Sequence, residues 1–489
     1  MMIPARPSEI FDREVEWAEL TDFVANPAAM PLLGVVSGRR RQGKTLLLGS
    51  LCDATGGIYI EGTEAVTAEH LHWFGQIVAA RVGAPAPVAF SSWRSAIDGV
   101  LDLATDRPLP LVIDEFPYLA KAAPELPSVL QAAMDTRRRR GGSPIRLLLC
   151  GSALSFMGGL LAGNAPLRGR AGLELVVPPL DYRLAAEFWG ISDPKLAVLT
   201  HAVVGGTPAY RREYVRDDAP TSLNDFDDWV CRAVLNPARP LFREARYLLA
   251  EEPDLRDPAL YHSVLAAVVE GNATRGGIAN FVGRKATDVS HPLSVLEDAG
   301  LLARQPDVLR AARPLYRITE PLITFYHAIM RPAWRQLERR RAQQVWQRSQ
   351  ARFRTAVVGP HFEELCRTWA ADFAEAETFG GVPAEVEHGV VNDAERHTSH
   401  EVDVVVLGEP DGTARKVLSL GEVKWGETMG TRHLDRLARV RDLLTKRGYD
   451  TRGTRLACYS GAGFGADLVR AANEGAVLLV DLERLYSGS

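Results

Sequence analysis

The stretch "GRRRQGKT", residues 38–45, decides how the first third of the chain is read. It follows the apolar run "PLLGVVSG" (31–38) and leads into "TLLLGSLC" (45–52), so a buried strand, a glycine loop and a helix are expected in that order. The stretch fits G-x-x-x-x-G-K-[ST], a loop that cradles phosphates. Gly38 and Gly43 let the backbone curl until its N–H groups converge on phosphate oxygens. The following helix N-terminus adds positive partial charge. Lys44 is expected to reach the β and γ phosphates, and Thr45 to offer its hydroxyl to Mg²⁺. A glycine turn with a solvated lysine is the competing reading, and the strand–loop–helix context weighs against it.

Such a site needs an acid at the end of a neighbouring strand, and "LPLVIDEF" (109–116) supplies two. Asp114 is expected to hold Mg²⁺ through water. Glu115 is placed to polarise the attacking water as a general base. Ser152, closing the strand "IRLLLCGS" (145–152), is a candidate for the γ-phosphate or the water. In "LRGRAG", Arg168 or Arg170 would serve as an arginine finger, within one chain or across a homo-oligomer. Arg39, Arg40 and Arg41 make the loop unusually basic, which suits either phosphate or another macromolecule.

Working outward, further apolar runs at 56–62 and 173–180 alternate with helix-length segments, the pattern of an α/β domain with a mostly parallel sheet. A short helix is expected at 11–25. Beyond residue 181 about 150 residues read as mainly helical. The acidic stretch 251–258 reads as a linker. Residues 259–319 read as three short helices and a hairpin, the pattern of a winged helix, with 284–300 as its recognition helix. Residues 331–354 carry eight arginines and one acid. There is no internal repeat.

"FDRE" near the start, "GRRRQGKT", "LVIDEF", "LLLCGSALSFM", "LRGRAG" and "GGTPAY" (205–210) occur in that order. This set resembles the archaeal-type P-loop ATPases, relatives of the AAA+ and STAND switch ATPases. The resemblance covers residues 1 to about 330. It implies a five-stranded ATPase core using ATP and Mg²⁺, a helical lid around "GGTPAY", and then a winged helix.

Near the other end, "LSLGEVKWG" (418–426) is an apolar strand that nevertheless carries Glu422 and Lys424 on one face. "EVDVVVLG" (401–408) is a second strand, with Glu401 and Asp403 on one face. The turn residues of 409–416 suggest a hairpin, which sets Asp403 beside Glu422 and Lys424. Upstream, "HFEELCRTWAADF" (361–373) reads as an amphipathic helix with Glu363 and Glu364. Carboxylates converging beside a lysine suit Mg²⁺ with a water-activating partner. Asp, then Glu-x-Lys, resembles the PD-(D/E)XK nuclease superfamily. That resemblance implies Asp403 and Glu422 as metal ligands, Lys424 as the catalytic lysine and Glu363 as the helix carboxylate, with Val402 where the motif has proline. A nuclease fold used only for binding, or a surface hairpin with cross-strand ion pairs, remains open. His388, His397 and His400 lie in what reads as polar loop and are expected to be solvated.

The organisation is therefore α/β: a P-loop NTPase core (1–180), helical lid (181–250), winged helix (255–330), basic helical linker (331–355) and α/β nuclease-like domain (356–489). DNA is the expected partner. Arg284, Lys285, Thr287, Ser290 and His291 of the recognition helix, Arg304, Arg310 and Arg313 of the hairpin, and the arginine-rich stretch would contact it. Overall charge is only −4 in 489 residues, so DNA contact must be local. Five scattered cysteines without a CxxC pair argue for a reducing compartment. No signal core or membrane-length apolar run is present, and the expectation is a cytoplasmic protein. The leading reading is an ATP-dependent DNA-processing or genome-defence protein. The alternatives are a STAND-like switch, or a DNA-binding regulator, with a non-catalytic terminal domain.

Overall fold

Strands buried on both faces are near-continuous apolar runs, and such runs build the first sheet. The computed structural model describes residues 4–140, 142–250, 257–310, 314–410 and 414–488. The chain folds as two compact units, Met1–Pro179 and Leu180–Ser489.

In the first unit, β1 (Leu32–Ser37), β2 (Ile58–Glu61), β3 (Leu109–Asp114), β4 (Ile145–Gly151) and β5 (Ala171–Val176) form one sheet. Their order is β2-β3-β4-β1-β5 and every pairing is parallel. Alternate residues fill two cores: Leu33, Val35, Leu111, Ile113, Leu147 and Leu149 on one face, Val36, Val112, Leu148 and Cys150 on the other. The run 173–180, expected as one of the apolar strands of the sheet, is the sheet edge. Its strand ends at Val176, its side chains alternate between half-buried and exposed, and Pro178–Pro179 cannot extend a ladder. The first helix runs Glu14–Ala25.

The second unit opens with helices, among them Tyr182–Trp189 and Pro194–Val204. Helices Pro258–Val269, Arg275–Phe281 and Ser290–Asp298 precede an antiparallel pair, β6 (Leu302–Gln305) and β7 (Leu315–Ile318). Most of the expected linker, 251–256, and Arg313 of the hairpin lie outside the described residues. The helix expected over 284–300 is shorter. Gly283, at φ 67°, closes the preceding helix, and residues 284–289 form a turn. Pro292 belongs in a first helical turn, because its ring would clash with the carbonyl four residues back; the helix starts at Ser290 accordingly. The arginine-rich stretch is helical over Trp334–Glu338 and Ala342–Arg352.

The chain then enters the helix Gly359–Thr368 and a second sheet. Its strands are β8 (Pro383–Asp393), β9 (Thr398–Gly408), β10 (Val417–Lys424), β11 (Arg455–Ser460) and β12 (Leu478–Val480). They lie in consecutive order, antiparallel from β8 to β10 and parallel from β10 to β12. Helix Thr431–Lys446 makes the crossover from β10 to β11. The histidine-bearing stretch 388–400, expected as polar loop, is a correction: it belongs to the β8–β9 hairpin. Asp393 closes that turn, accepting from the Arg396 N–H and pairing with Arg439. The turn between β9 and β10 lies partly outside the described residues, at 411–413.

Candidate functional site

Two clusters of chemistry-bearing side chains stand out, one in each unit. In the first, Gly38 has φ 149°, and a Cβ there would sit 2.5 Å from the Val177 carbonyl oxygen, so only glycine fits. Gly43, at φ 86°, turns the chain into helix Lys44–Thr55. The Lys44 Nζ is buried and arches back over the loop, donating to the Gly38 and Arg39 carbonyls at 2.7 and 2.9 Å. Burial holds its pKa below the usual lysine value, against the opposing pull of Glu115 and Asp114.

β4 separates β1 from β3, yet the loop after β1 meets the acid at the end of β3. The Thr45 Oγ1 donates to Asp114 Oδ2 at 2.8 Å, and the Tyr59 hydroxyl donates to the same oxygen at 2.5 Å. The Glu115 N–H donates to Asp114 Oδ1 at 2.8 Å. Burial pushes Asp114 upward, but Cys150, Tyr59, Thr45 and the Glu115 N–H more than reverse this, leaving its pKa below the usual range. Glu115 is the opposite case. Burial raises its pKa, and Arg40 only partly offsets that. Its backbone is left-handed at φ 47°, an arrangement that costs about 1 kcal/mol for a non-glycine residue. The Ser152 Oγ donates toward both Glu115 oxygens at 3.2 Å.

The structure thus brings together Gly38, Gly43, Lys44, Thr45, Asp114, Glu115 and Ser152. It does not bring Arg170 to them. That guanidinium is held by Asp135 at 3.2 and 2.9 Å, and Arg168 donates to the Gly163 carbonyl. Tyr59 was not foreseen. It reaches Asp114 because β2 neighbours β3, with Glu61 opposite Asp114, and strand order is not written in local sequence.

In the second unit, β9 and β10 pair with Gly421 opposite Val404. A Cβ on Gly421 would meet the Tyr459 ring at 2.6 Å, which explains glycine inside this strand. The next pair of residues brings Asp403 to β10, where its Oδ2 accepts from the Val423 N–H at 2.8 Å. The Lys424 Nζ lies 2.7 Å from Glu422 Oε1 and 3.9 Å from Asp403 Oδ2. Arg436 of the crossover helix also donates to Glu422 Oε1, at 2.5 Å. Glu422 Oε2 is buried without a hydrogen-bond partner among the described residues.

Helix Gly359–Thr368 packs on β9 and β10, and Phe362 meets Trp425 edge-on at 5.2 Å. Its two adjacent acids divide their work. Glu364 is spent on Arg367, Arg317 and Gln305. Glu363 faces the cluster: burial raises its pKa, Arg367 and Lys424 oppose this, and Glu401 and Glu422 add to it. Asp403 is pushed up to about 7 by burial, with Glu363 and Glu422 as like charges nearby.

The donor chemistry suits a hard divalent ion such as Mg²⁺: carboxylate oxygens, one of them orphaned, with an amine alongside. As it stands the cluster is not a ligand shell. Among the described residues no group of three or more His, Cys, Asp or Glu side chains is arranged to hold a metal ion. Lys424 and Arg436 take up the free charge of Glu422 instead. Nor do the histidines supply a site: His388 is buried in β8 with its pKa lowered by that burial, and His400 lies 3.5 Å from Asp393.

Of the expected DNA-facing groups, Arg284, Lys285 and Thr287 are exposed on the turn before helix Ser290–Asp298. Ser290 bonds the Ala286 carbonyl, while His291 is exposed. Arg304 pairs with Glu297, and Arg310 with Asp307 at 2.6 Å. In the arginine-rich stretch Trp346 and Phe353 are buried, whereas Arg331, Arg335, Arg339, Arg340, Arg341, Arg348 and Arg354 are exposed. All five cysteines are unpaired. Among the described residues no helix is long and apolar enough to cross a membrane.

No protein-family model matches the chain. An uncharacterized protein of Methanocaldococcus jannaschii is 26% identical over 302 residues, covering 61% of this chain and 64% of that relative, so just under two thirds of its length is spanned. Among solved structures, the Walker-type ATPase PABY2304 of Pyrococcus abyssi aligns over 66% of this chain and 98% of its own at 20% identity, with a TM-score of 0.48. The ORC2 protein of Aeropyrum pernix in ADPNP–ADP complexes aligns over 71% and 97% at 16% identity, with a TM-score of 0.40. Scores and identities this low say nothing about function. What the first unit's own geometry defines is an α/β domain with the parallel sheet and glycine loop typical of P-loop NTPase cores.

Proposed function

We propose that the chain is a P-loop ATPase that binds and hydrolyses ATP with Mg²⁺. The observation that carries this reading is the 2.8 Å bond between Thr45, on the loop after β1, and Asp114, at the end of β3. It joins the two halves of a phosphate site from strands that are not neighbours. Mg²⁺, when bound, would supply charge neutralisation at the phosphates. Thr45 and Asp114 would hold it, and Lys44 would exchange the loop carbonyls for phosphate oxygens. Glu115 accepts the proton of a water whose oxygen bonds the γ-phosphorus as the bridging P–O bond breaks, giving ADP and phosphate. Burial raises the pKa of Glu115, which makes it a better base. A fluorescent ATP analogue with Mg²⁺ tests the site. Wild type is expected to bind and Lys44→Ala to lose at least about tenfold in affinity, since a charge-assisted contact is worth 1.5–3 kcal/mol or so. Equal binding refutes the assignment.

A second reading concerns the terminal sheet and is favoured by the gathering of Asp403, Glu422 and Lys424 with Glu363 close behind. In this reading the domain is PD-(D/E)XK-like and hydrolyses a DNA phosphodiester. Water bonds to phosphorus, one ester P–O bond breaks, and the leaving oxygen takes a proton. Mg²⁺, when bound, supplies charge neutralisation at the phosphate. Lys424 orients the water, and the carboxylates hold the ion. The helices and hairpin of 258–318, read as a winged helix, and the exposed arginines of 331–354 serve this reading as DNA contacts. Supercoiled plasmid is nicked by wild type and not by Lys424→Ala if it holds. Equal nicking, or none by either, leaves an ATP-driven switch or regulator whose terminal domain only binds.

A further inference from the structure

The terminal cluster holds one feature that a purely structural ion pair does not explain. Glu422 is 1% exposed, yet both of its cationic partners crowd onto one oxygen. Lys424 and Arg436 share Oε1, while Oε2 is buried with no donor among the described residues. A guanidinium beside a carboxylate frequently pairs with it fork to fork, satisfying both oxygens, and a buried unsatisfied oxygen costs about 1–3 kcal/mol. Arg436 does not use its second amino group in that way. It donates through Nη2 to the Glu401 carbonyl at 2.6 Å, so one guanidinium holds a residue of β9 and a residue of β10. Its side chain remains 35% exposed.

We propose that Arg436 is a gatekeeping positioning residue of this cluster: it holds Glu422 until a divalent cation displaces it, and the released guanidinium then receives the anionic phosphodiester. The inference rests on the nuclease-like reading above and adds a residue that the Asp, Glu-x-Lys pattern does not contain. The physical argument is charge. Glu363, Asp403 and Glu422 lie within electrostatic reach of one another, with Lys424 among them. A dication at Oε2 would add to the two cations already on Glu422, and Arg436 is the one able to leave because it comes from the separate crossover helix; the two side chains are about equally exposed, at 33% for Lys424 and 35% for Arg436. Lys424 is bound to β10 itself and donates to the Val423 carbonyl at 3.0 Å. Arginine suits the task because its planar fork spans two acceptors at once, which lysine cannot do.

The test is Mn²⁺ binding to the full chain without nucleotide, followed by electron paramagnetic resonance. Glu422→Ala serves to subtract binding elsewhere. Arg436→Ala is expected to bind Mn²⁺ at the Glu422-dependent site about tenfold more tightly than wild type, because one like charge is removed at close range. Arg436→Lys should fall between them. Anisotropy of labelled duplex DNA in Ca²⁺ is expected to show the reverse order, Arg436→Ala weakening by about fivefold or more, since one phosphate is no longer neutralised. Circular dichroism melts check that the variants fold, and Arg436→Gln replaces alanine if that variant does not. If Arg436→Ala binds Mn²⁺ no more tightly than wild type while Glu422→Ala abolishes binding, the gate is wrong and the metal reading stands. If duplex affinity is unchanged, the phosphate role is wrong. If neither wild type nor Arg436→Ala shows Glu422-dependent Mn²⁺ binding, both fall together.

Discussion

Asp403→Asn should make the terminal domain more stable at pH 8 and weaken its loss of stability as pH rises. Asp403 is pushed up to about 7 by burial and by the carboxylates of Glu363 and Glu422, while an unfolded chain titrates it at an ordinary value near 3.8. The native state therefore holds a proton between these values that the unfolded state has released. Stability must fall as pH rises through that window and level off above pH 7. A three-unit separation is worth about 4 kcal/mol in full, of which about 3 kcal/mol falls between pH 5 and pH 8. Asparagine fixes the neutral form, and its oxygen can still accept the Val423 N–H that Asp403 accepts at 2.8 Å. The assay is hydrogen exchange of the β10 amides, Val417–Lys424, in both proteins from pH 5 to pH 8, after correction for intrinsic rates. Wild type should lose about 3 kcal/mol of protection across that range and the variant less. An equal slope in the two, or a variant that is less protected at every pH, refutes the reasoning.

Three further outcomes are expected. Gly421→Ala would place a methyl group 2.6 Å from the Tyr459 ring, so the midpoint of unfolding should drop with a loss of about 1–3 kcal/mol; an unchanged melt contradicts that packing. Ser152→Ala removes the hydroxyl that bonds both Glu115 oxygens and lowers its pKa. The acid limb of ATP turnover should move to higher pH, and a shift the other way would overturn the base assignment. Reversing Arg339, Arg341 and Arg348 to Glu should weaken duplex DNA binding and flatten its salt dependence by about three in the log–log slope, one for each phosphate left without its arginine. An unaltered slope would leave these exposed arginines as a solvated face.

Local sequence carried the parts whose physics is local. The glycine loop with Lys44 and Thr45, the acids closing β3, and Glu422 and Lys424 inside an apolar strand were legible because loop geometry and strand alternation leave their mark over a few residues. Elements decided by distant partners were not. The run 173–180 looks buried by composition, yet being at the sheet edge exposes one side of β5. Residues 388–400 look like loop, yet two long strands pair there around Asp393. Tyr59 and Arg436 joined the two clusters only through strand order and a crossover helix. Arg170 was placed by motif, but a nearby Asp135 on helix Leu126–Arg140 holds it. Where a side chain depends on which strand lies next door, the sequence offers no short-range signal.

The central claim is that the first unit turns over ATP with Glu115 as base at a site organised by Lys44, Thr45 and Asp114. Its most direct measurement is phosphate release from Mg·ATP by wild type and Glu115→Gln, alongside nucleotide affinity for each. Wild type is expected to release phosphate measurably and Glu115→Gln to release it about a hundredfold or more slowly, as general-base loss entails, with nucleotide affinity nearly unchanged. Equal release by both proteins would contradict it, as would a wild type that binds ATP and never hydrolyses it.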